Sequence, residues 1–237
     1  MSAAPKTAMV LAAGLGTRMR PLTDDRPKAL VEVAGKALID HTLDRLVEAG
    51  VETAVVNVHY LADMVEAHLA TRKSPRILIS DERAGLLDSA GGIVHAAALL
   101  GEAPIFVANI DVPWIEGATP ALESLAQVWN PVRMDICVLL APRDQAIGFD
   151  RPEGFLRDAA GRLAHSKSAA PPPPYVNIGV QILKPRVVIA QGQGAFSILP
   201  LWNQLAARGR LFGAVMDGFA LHVSDPAALA AAEARLR

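Results

Sequence analysis

An α/β fold on a doubly wound, mostly parallel sheet is predicted by three features of the sequence. Strand-like and helix-like segments alternate through the first 140 residues, the order that arises when each strand of a parallel sheet is followed by a helix that covers it. Residues 8–12 form an unbroken apolar run, which suits a strand buried on both faces. Groups suited to holding a ligand follow strands: Gly14 and Gly16 come after the first and Asp111 after the fourth, and open α/β sheets gather ligands at the carboxyl ends of their strands.

The elements follow in order. Ile39, Leu43, Leu46 and Val47 share one helical face, and Gly50 is placed to end that helix. Thr53–Val58 reads as the second strand, Leu61, Val65 and Leu69 mark the next helix, and residues 76–80 give a third strand. Ser89 is placed to cap a helix running to Leu100, and residues 104–109 form the fourth strand, leading to Asp111. From Gly148 the pattern changes to short strands and turns. Residues 155–163 turn around Gly161, and the tract SAAPPPPY then ends at Tyr175. Four consecutive prolines enter neither a helix nor a central strand, so this tract is expected to be an extended surface connection or flap. Residues 177–183 read as a strand, 196–208 as a helix, Leu211–Val215 and residues 219–223 as strands, and 226–237 as an alanine-rich helix.

Composition narrows the function. With 237 residues, 51% of them hydrophobic, and a formal net charge of −1, the chain has material for a sizeable core and lacks the basic excess of a phosphate-backbone binder, so nucleic acid is not expected as a partner. The single cysteine, Cys137, lies in the apolar run 136–140 and reads as a buried, inert thiol. There is no signal-like stretch before the first strand and no apolar run of about 18 residues, so a cytoplasmic location away from membranes is expected. The histidines His41, His59, His68 and His95 show no zinc-type spacing and read as surface or packing residues.

The stretch LAAGLGTRMRPLTDDRPKAL, residues 11–30, carries most of the chemistry. Gly14 and Gly16 let the backbone turn sharply and approach a ligand, and exposed N–H groups in such a loop attract anions. Arg18 adds a planar fork for two phosphate oxygens and Lys28 a mobile point charge, so the stretch reads as a triphosphate cradle. A dinucleotide fingerprint is excluded because Met19 stands where the third glycine belongs and Pro21 follows. A P-loop is excluded because no Lys-Ser or Lys-Thr follows Gly16. Asp111, at the end of VANID, is the candidate metal carboxylate, with a plain turn aspartate as the alternative. Asp225, followed by Pro226 and an alanine-rich run, reads as a helix N-cap. Gly91 and Gly92 in a first helical turn point to close approach of a ligand, or to tight helix packing.

The spacing GxGTRxxPxT...PK resembles that of the sugar-1-phosphate nucleotidyltransferases, which join a nucleoside triphosphate to a sugar phosphate and release pyrophosphate. The resemblance covers nearly the whole chain and implies a single domain, residues 1–237, with a nucleotide-binding core over about 1–140 and a β-rich sugar-binding and closing part over 141–237. It implies that Arg18, Lys28 and Asp111 are catalytic, and that Leu11, Ala12, Ala13, Gly14, Gly16, Thr17, Arg18, Lys28, Gly91, Gly92 and Asn109 bind the nucleotide. Asn109, Gly148, Glu153, Asn177 and Gly179 fall where the family binds the acceptor sugar. The implied cofactor is Mg²⁺. Asp111 matches the metal aspartate of the family's Asn-Gly-Asp segment, with Ile110 in the middle, and His222 stands at the second metal aspartate, where an imidazole is a poor ligand for so hard a cation.

The ordering of segments, through LLDSAGGI, NIDVPW and GAFSILPLW, most resembles the short bacterial members that use UTP and N-acetylmuramate 1-phosphate in cell-wall recycling. The alternatives are mannose-1-phosphate guanylyltransferases and glucose-1-phosphate uridylyl- or thymidylyltransferases. A non-catalytic nucleotide-sugar sensor is the reading of another class, favoured by Ile110, His222 and Ser224 and opposed by Arg18, Lys28 and Asp111. A stand-alone transferase without a β-helix acyltransferase, monomeric or a small homo-oligomer, is expected.

Overall fold

The computed structural model describes residues 4–168 and 170–236; Ala169 of the proline-rich tract and Arg237 of the expected last helix lie outside the described residues. Strand β1 (Thr7–Leu11) is followed by a short hairpin of β2 (Glu32–Val33) and β3 (Lys36–Ala37), then α1 (Leu38–Glu48), β4 (Thr53–Val58), α2 (Ala62–Leu69) and β5 (Arg76–Asp81). The chain continues through α3 (Asp88–His95), α4 (Ala97–Leu100), β6 (Ile105–Asn109), β7 (Trp114–Ile115), α5 (Ala121–Val128), β8 (Ile136–Pro142) and β9 (Ala146–Ile147). The remainder comprises β10 (Gly154–Arg157), β11 (Leu163–Ser166), β12 (Tyr175–Leu183), α6 (Pro185–Ile189), α7 (Leu199–Ala207), β13 (Leu211–Val215), β14 (Phe219–Leu221) and α8 (Pro226–Leu236).

One nine-stranded sheet organises these elements, in the order β11-β10-β12-β6-β1-β4-β5, with β8 joined to β12 and β13 to β8. Strands β6, β1, β4 and β5 are mutually parallel, β12 is antiparallel to both β6 and β8, and β13 is parallel to β8. Apolar side chains cover both faces. Along β1, Ala8 and Val10 enter one core cluster while Met9 enters the other, and all three are fully buried. Burial on both faces explains why this strand reads as an apolar run without alternation. No helix among the described residues is long and apolar enough to cross a membrane.

Register fixes what stands at the ligand edge. Leu11, the last residue of β1, pairs with Asn57 on one side and Asn109 on the other. A shift of one residue would turn both asparagines away, and the buried faces of the sheet hold the strands against such a slip.

Several boundaries differ from the sequence expectation, three of them near the cleft. The helix expected from Ser89 to Leu100 begins at Asp88 and breaks after His95 into α3 and α4. Ser89 is not its cap: the Ser89 hydroxyl oxygen accepts a hydrogen bond from the Ile198 N–H (3.1 Å), and the first-turn N–H groups of Ala90 and Gly91 donate to the Phe196 carbonyl. Residues 196–198 are spent on that contact, so α7 starts at Leu199 rather than at 196. The last strand stops at Leu221, which leaves His222 just beyond it.

Candidate active site

The glycine loop crosses the carboxyl edge of β1 and is pinned at its far side. Gly16 has φ of +64°, and a side chain there would meet the Lys28 and Thr23 side chains at 3.1 Å, so a glycine is what allows Lys28 to pack against the loop. The Gly16 carbonyl accepts hydrogen bonds from the Met19 N–H and the Thr23 hydroxyl, both at 2.8 Å. Met19 is fully buried and anchors the loop in the core. The Tyr60 hydroxyl lies 3.0 Å from the carbonyls of Thr23 and Asp24 and ties down the following turn. Arg18 is left exposed on the loop.

Lys28 and Asp111, 83 residues apart, form an ion pair of 2.7 Å with side chains only 11% and 20% exposed. The His222 ring approaches the same carboxylate oxygen, with Nε2 3.6 Å from Asp111 Oδ2. His222 Nδ1 donates to the Gly148 carbonyl at 2.9 Å, and the ring packs against Phe149 with 5.1 Å between centroids. A backbone hydrogen bond from Val223 N–H to the Asp111 carbonyl (2.8 Å) holds the two segments together. Burial by itself would raise the Asp111 carboxyl, but the His222 contact and the Lys28 charge override it and hold the group well below the usual carboxylate range. The pair therefore keeps a negative charge ready beside two nitrogen-bearing groups.

The donor set suits a hard divalent cation only in part. Asp111 offers oxygen, the His222 imidazole is a poor ligand for so hard a cation, and no group of three or more metal-type side chains occurs among the described residues. A cation here would need further oxygens, which a triphosphate carries. Asp225 is the N-cap of α8: its Oδ1 accepts from the N–H groups of Ala227 and Ala228, and its Oδ2 accepts from the Ser224 hydroxyl.

Lys28, Asp111 and the glycine loop line a cleft of about 430 Å³, with His222 behind Asp111 and outside the lining. It brings together Leu11, Ala12, Ala13, Gly14, Gly16, Thr17, Arg18, Lys28, Asn109 and Asp111 from the sequence expectation and adds Asn57, Leu86, Asp88, Ser89, Ile110 and Ser224. Asn57 was missed although it carries a readable signal, a polar residue near the carboxyl end of an apolar strand, as Asn109 is. None of the expected acceptor residues Gly148, Glu153, Asn177 and Gly179 lines the cleft, and Gly179 packs against Asn109, which does. Gly179, φ +78°, sits in an irregularity of β12 where its Cβ would fall 2.9 Å from that of Asn109, and its N–H donates to Asn177 Oδ1. Gly148 lies under the His222 backbone. Glu153 differs: its side chain meets Arg151 at 3.5 Å, and its carbonyl accepts from Arg143. Arg143, another omission, also binds the carbonyls of Phe149, Arg151 and Pro173, so it ties the proline tract to the loop that follows β9.

Gly91 and Gly92 do not line the cleft, and packing accounts for both. A Cβ on Gly91 would fall 2.2 Å from the Gly194 carbonyl oxygen, and one on Gly92 would fall 2.7 Å from Glu82 Oε1.

The sequence profile of the MobA-like NTP transferase domain matches residues 8–215. The chain belongs to this family. An N-acetylmuramate alpha-1-phosphate uridylyltransferase of Caulobacter vibrioides is 59% identical over 100% of this chain and 99% of its own length. A protein of the same description from Neisseria meningitidis serogroup B is 49% identical over 44% of this chain and 46% of its own. Among solved structures, an apo UDP-glucose pyrophosphorylase superposes with a TM-score of 0.81 over 98% of both chains at 16% identity. The inositol-1-phosphate CTP transferase of T. maritima gives 0.77 over 96% of this chain and 93% of its own at 19% identity, and both likenesses speak for the fold. The resemblance read from residues 11–30 thus extends over the whole chain.

Proposed function

We propose that this family member transfers the uridylyl group of UTP to N-acetylmuramate 1-phosphate, releases pyrophosphate and forms UDP-N-acetylmuramate. The observation that carries the reading is the junction of the glycine loop, Lys28 and Asp111 in one cleft at the carboxyl edge of the sheet. The choice of base and sugar rests on the Caulobacter vibrioides relative, matched from end to end. A phosphate oxygen of the sugar phosphate forms a bond to the α-phosphorus as the bond from that phosphorus to the bridging oxygen of pyrophosphate breaks.

Both reactants are anions, so the protein's task is charge and alignment. The loop N–H groups and Arg18 hold the triphosphate, Lys28 neutralises the reacting phosphates, and Asn109, Asn177 and the Gly179 backbone face the acceptor. Asp111, with His222 beside it, would hold a Mg²⁺ ion that enters with the triphosphate. That ion supplies charge neutralisation on phosphate oxygens and on the departing pyrophosphate. The chain acts as one catalytic domain in the cytoplasm, in the recycling of cell-wall sugar. A pyrophosphate-release panel crossing UTP, dTTP, GTP and CTP with N-acetylmuramate 1-phosphate, glucose 1-phosphate and mannose 1-phosphate tests this. UTP with N-acetylmuramate 1-phosphate is expected to be fastest. A higher kcat/KM for another pair would replace the substrates, and binding without pyrophosphate release in Mg²⁺ or Mn²⁺ would make the protein a sensor.

A further inference from the structure

Glu82 is a buried carboxyl group that the reaction does not use. It is 2% exposed, and Asn57 beside it is 3% exposed. Asn57 Oδ1 accepts from two loop amides, Ala12 N–H at 2.7 Å and Ala13 N–H at 3.3 Å. Two N–H groups can meet only an oxygen, so the amide nitrogen of Asn57 must face the other way. There it donates to Glu82 Oε1 at 2.8 Å, while Glu82 Oε2 accepts from the Leu87 N–H at 3.2 Å. Space is reserved for the pair, since a methyl group on Gly92 would fall 2.7 Å from Glu82 Oε1 and 3.0 Å from Asn57 Nδ2.

We infer that Asn57 and Glu82 are positioning residues that lock the glycine loop to the segment opening α3, and so set the width of the nucleotide end of the cleft. The chain of hydrogen bonds has one direction: Leu87 and Asn57 donate to Glu82, and Ala12 and Ala13 donate to Asn57. Glu82 orients the Asn57 amide, and the amide orients two backbone N–H groups at the root of the loop. Asn57 also borders the cleft, and both side chains act here through the loop amides they orient. The inference rests on the reading that this loop holds the triphosphate, which the pyrophosphate panel on the unaltered protein tests separately.

Polarity makes the lock testable. In Glu82→Gln, the new amide can offer oxygen to Asn57 or to Leu87 but turns its NH₂ toward the other donor. In Asn57→Asp, two carboxyl groups meet with no donor between them. The combined Asn57→Asp/Glu82→Gln protein restores every pairing: the new carboxylate accepts from Ala12, Ala13 and the new amide, whose oxygen accepts from Leu87.

In steady-state kinetics each single substitution is expected to raise the KM for UTP about tenfold, leave the KM for the sugar phosphate within about twofold, and the double protein is expected to recover most of the UTP value. A general loosening of the fold would move both KM values or neither. Single variants with unchanged UTP KM overturn the inference, as does a folded double variant no better than the worse single. If a single variant does not fold, amide exchange on the wild type decides. Slow exchange at Ala12, Ala13 and Leu87 without nucleotide supports the lock, and exchange at the rate of an unstructured peptide overturns it.

Discussion

The Lys28–Asp111 pair makes stability and turnover separable. Removing the ammonium, as in Lys28→Met, leaves the Asp111 carboxylate without its 2.7 Å partner in a site where the two side chains are 11% and 20% exposed. At an effective dielectric of about 20 the direct attraction is about 6 kcal/mol, and desolvation of both ions cancels much of it. Breaking a buried pair on one side costs about 3–5 kcal/mol, and the opening to the cleft lowers this to about 2 kcal/mol. For a chain of this size that is a fall in Tm of about 6 °C. Asp111→Asn should cost less, because a lysine can swing its charge into water. The double variant Lys28→Met/Asp111→Asn should return to within about 1 kcal/mol of wild type, since no charge is then stranded. Turnover behaves differently: each single and the double should lose about 100-fold or more, as expected when one transition-state contact of about 3 kcal/mol is removed. Thermal unfolding and steady-state rates on the same preparations supply the cycle. Additive destabilisation in the double variant would show that the two charges do not support one another, and full activity in Lys28→Met would remove that residue from the chemistry.

Further outcomes follow from other parts of the molecule. Arg18→Ala should leave the melting temperature unchanged, because the side chain is exposed, while turnover falls about 100-fold; a comparable loss in both would make Arg18 structural. Gly91→Ala should destabilise markedly by driving a methyl group to within 2.2 Å of the Gly194 carbonyl, and a melting curve like that of wild type would refute the packing account. Asp135 is held at about 2, below its ordinary 3.8, chiefly by hydrogen bonding to Arg210 with help from Lys184. A depressed carboxyl stabilises the fold above its unfolded value and loses that contribution as pH falls toward 2, so the stability gap between wild type and Asp135→Asn, about 1 kcal/mol near pH 7 after solvent screening, should close between about pH 4 and pH 2. A gap that stays constant over that range would contradict it.

The parts legible in the sequence were those encoded locally. The apolar run of β1, the glycine spacing and the placement of Asp111 after β6 depend on neighbours a few residues away, and each was found where expected. For Gly91 and Gly92 the sequence offered ligand approach or tight packing, and the packing partners lie at Gly194 and Glu82; no local pattern announces a backbone carbonyl arriving from 103 residues downstream. Ser89 has the chemistry of a cap, but the Phe196 carbonyl had already taken the first-turn donors of α3. Helix α5 went unassigned even though Leu122 and Leu125 are buried. Arg143 was missed because four of the carbonyls it binds belong to loops without regular periodicity.

The seating of residues 196–198 against the start of α3 bears on the order in which this molecule can be completed. A ribosome releases the glycine loop, Lys28, Glu82 and Asp111 long before Phe196, whose carbonyl receives the Ala90 and Gly91 amides, and before Val223, whose amide reaches the Asp111 carbonyl. Pairings across more than a hundred residues are slow to form, because the intervening chain must first be closed into a loop. The strands that lead into the glycine loop and Asp111 can thus assemble while the segments that seat against α3 and the Asp111 carbonyl are still missing. A nascent chain should gain protease resistance in its central strands before it can retain a nucleotide, and ligand capture would mark the final stage of its folding.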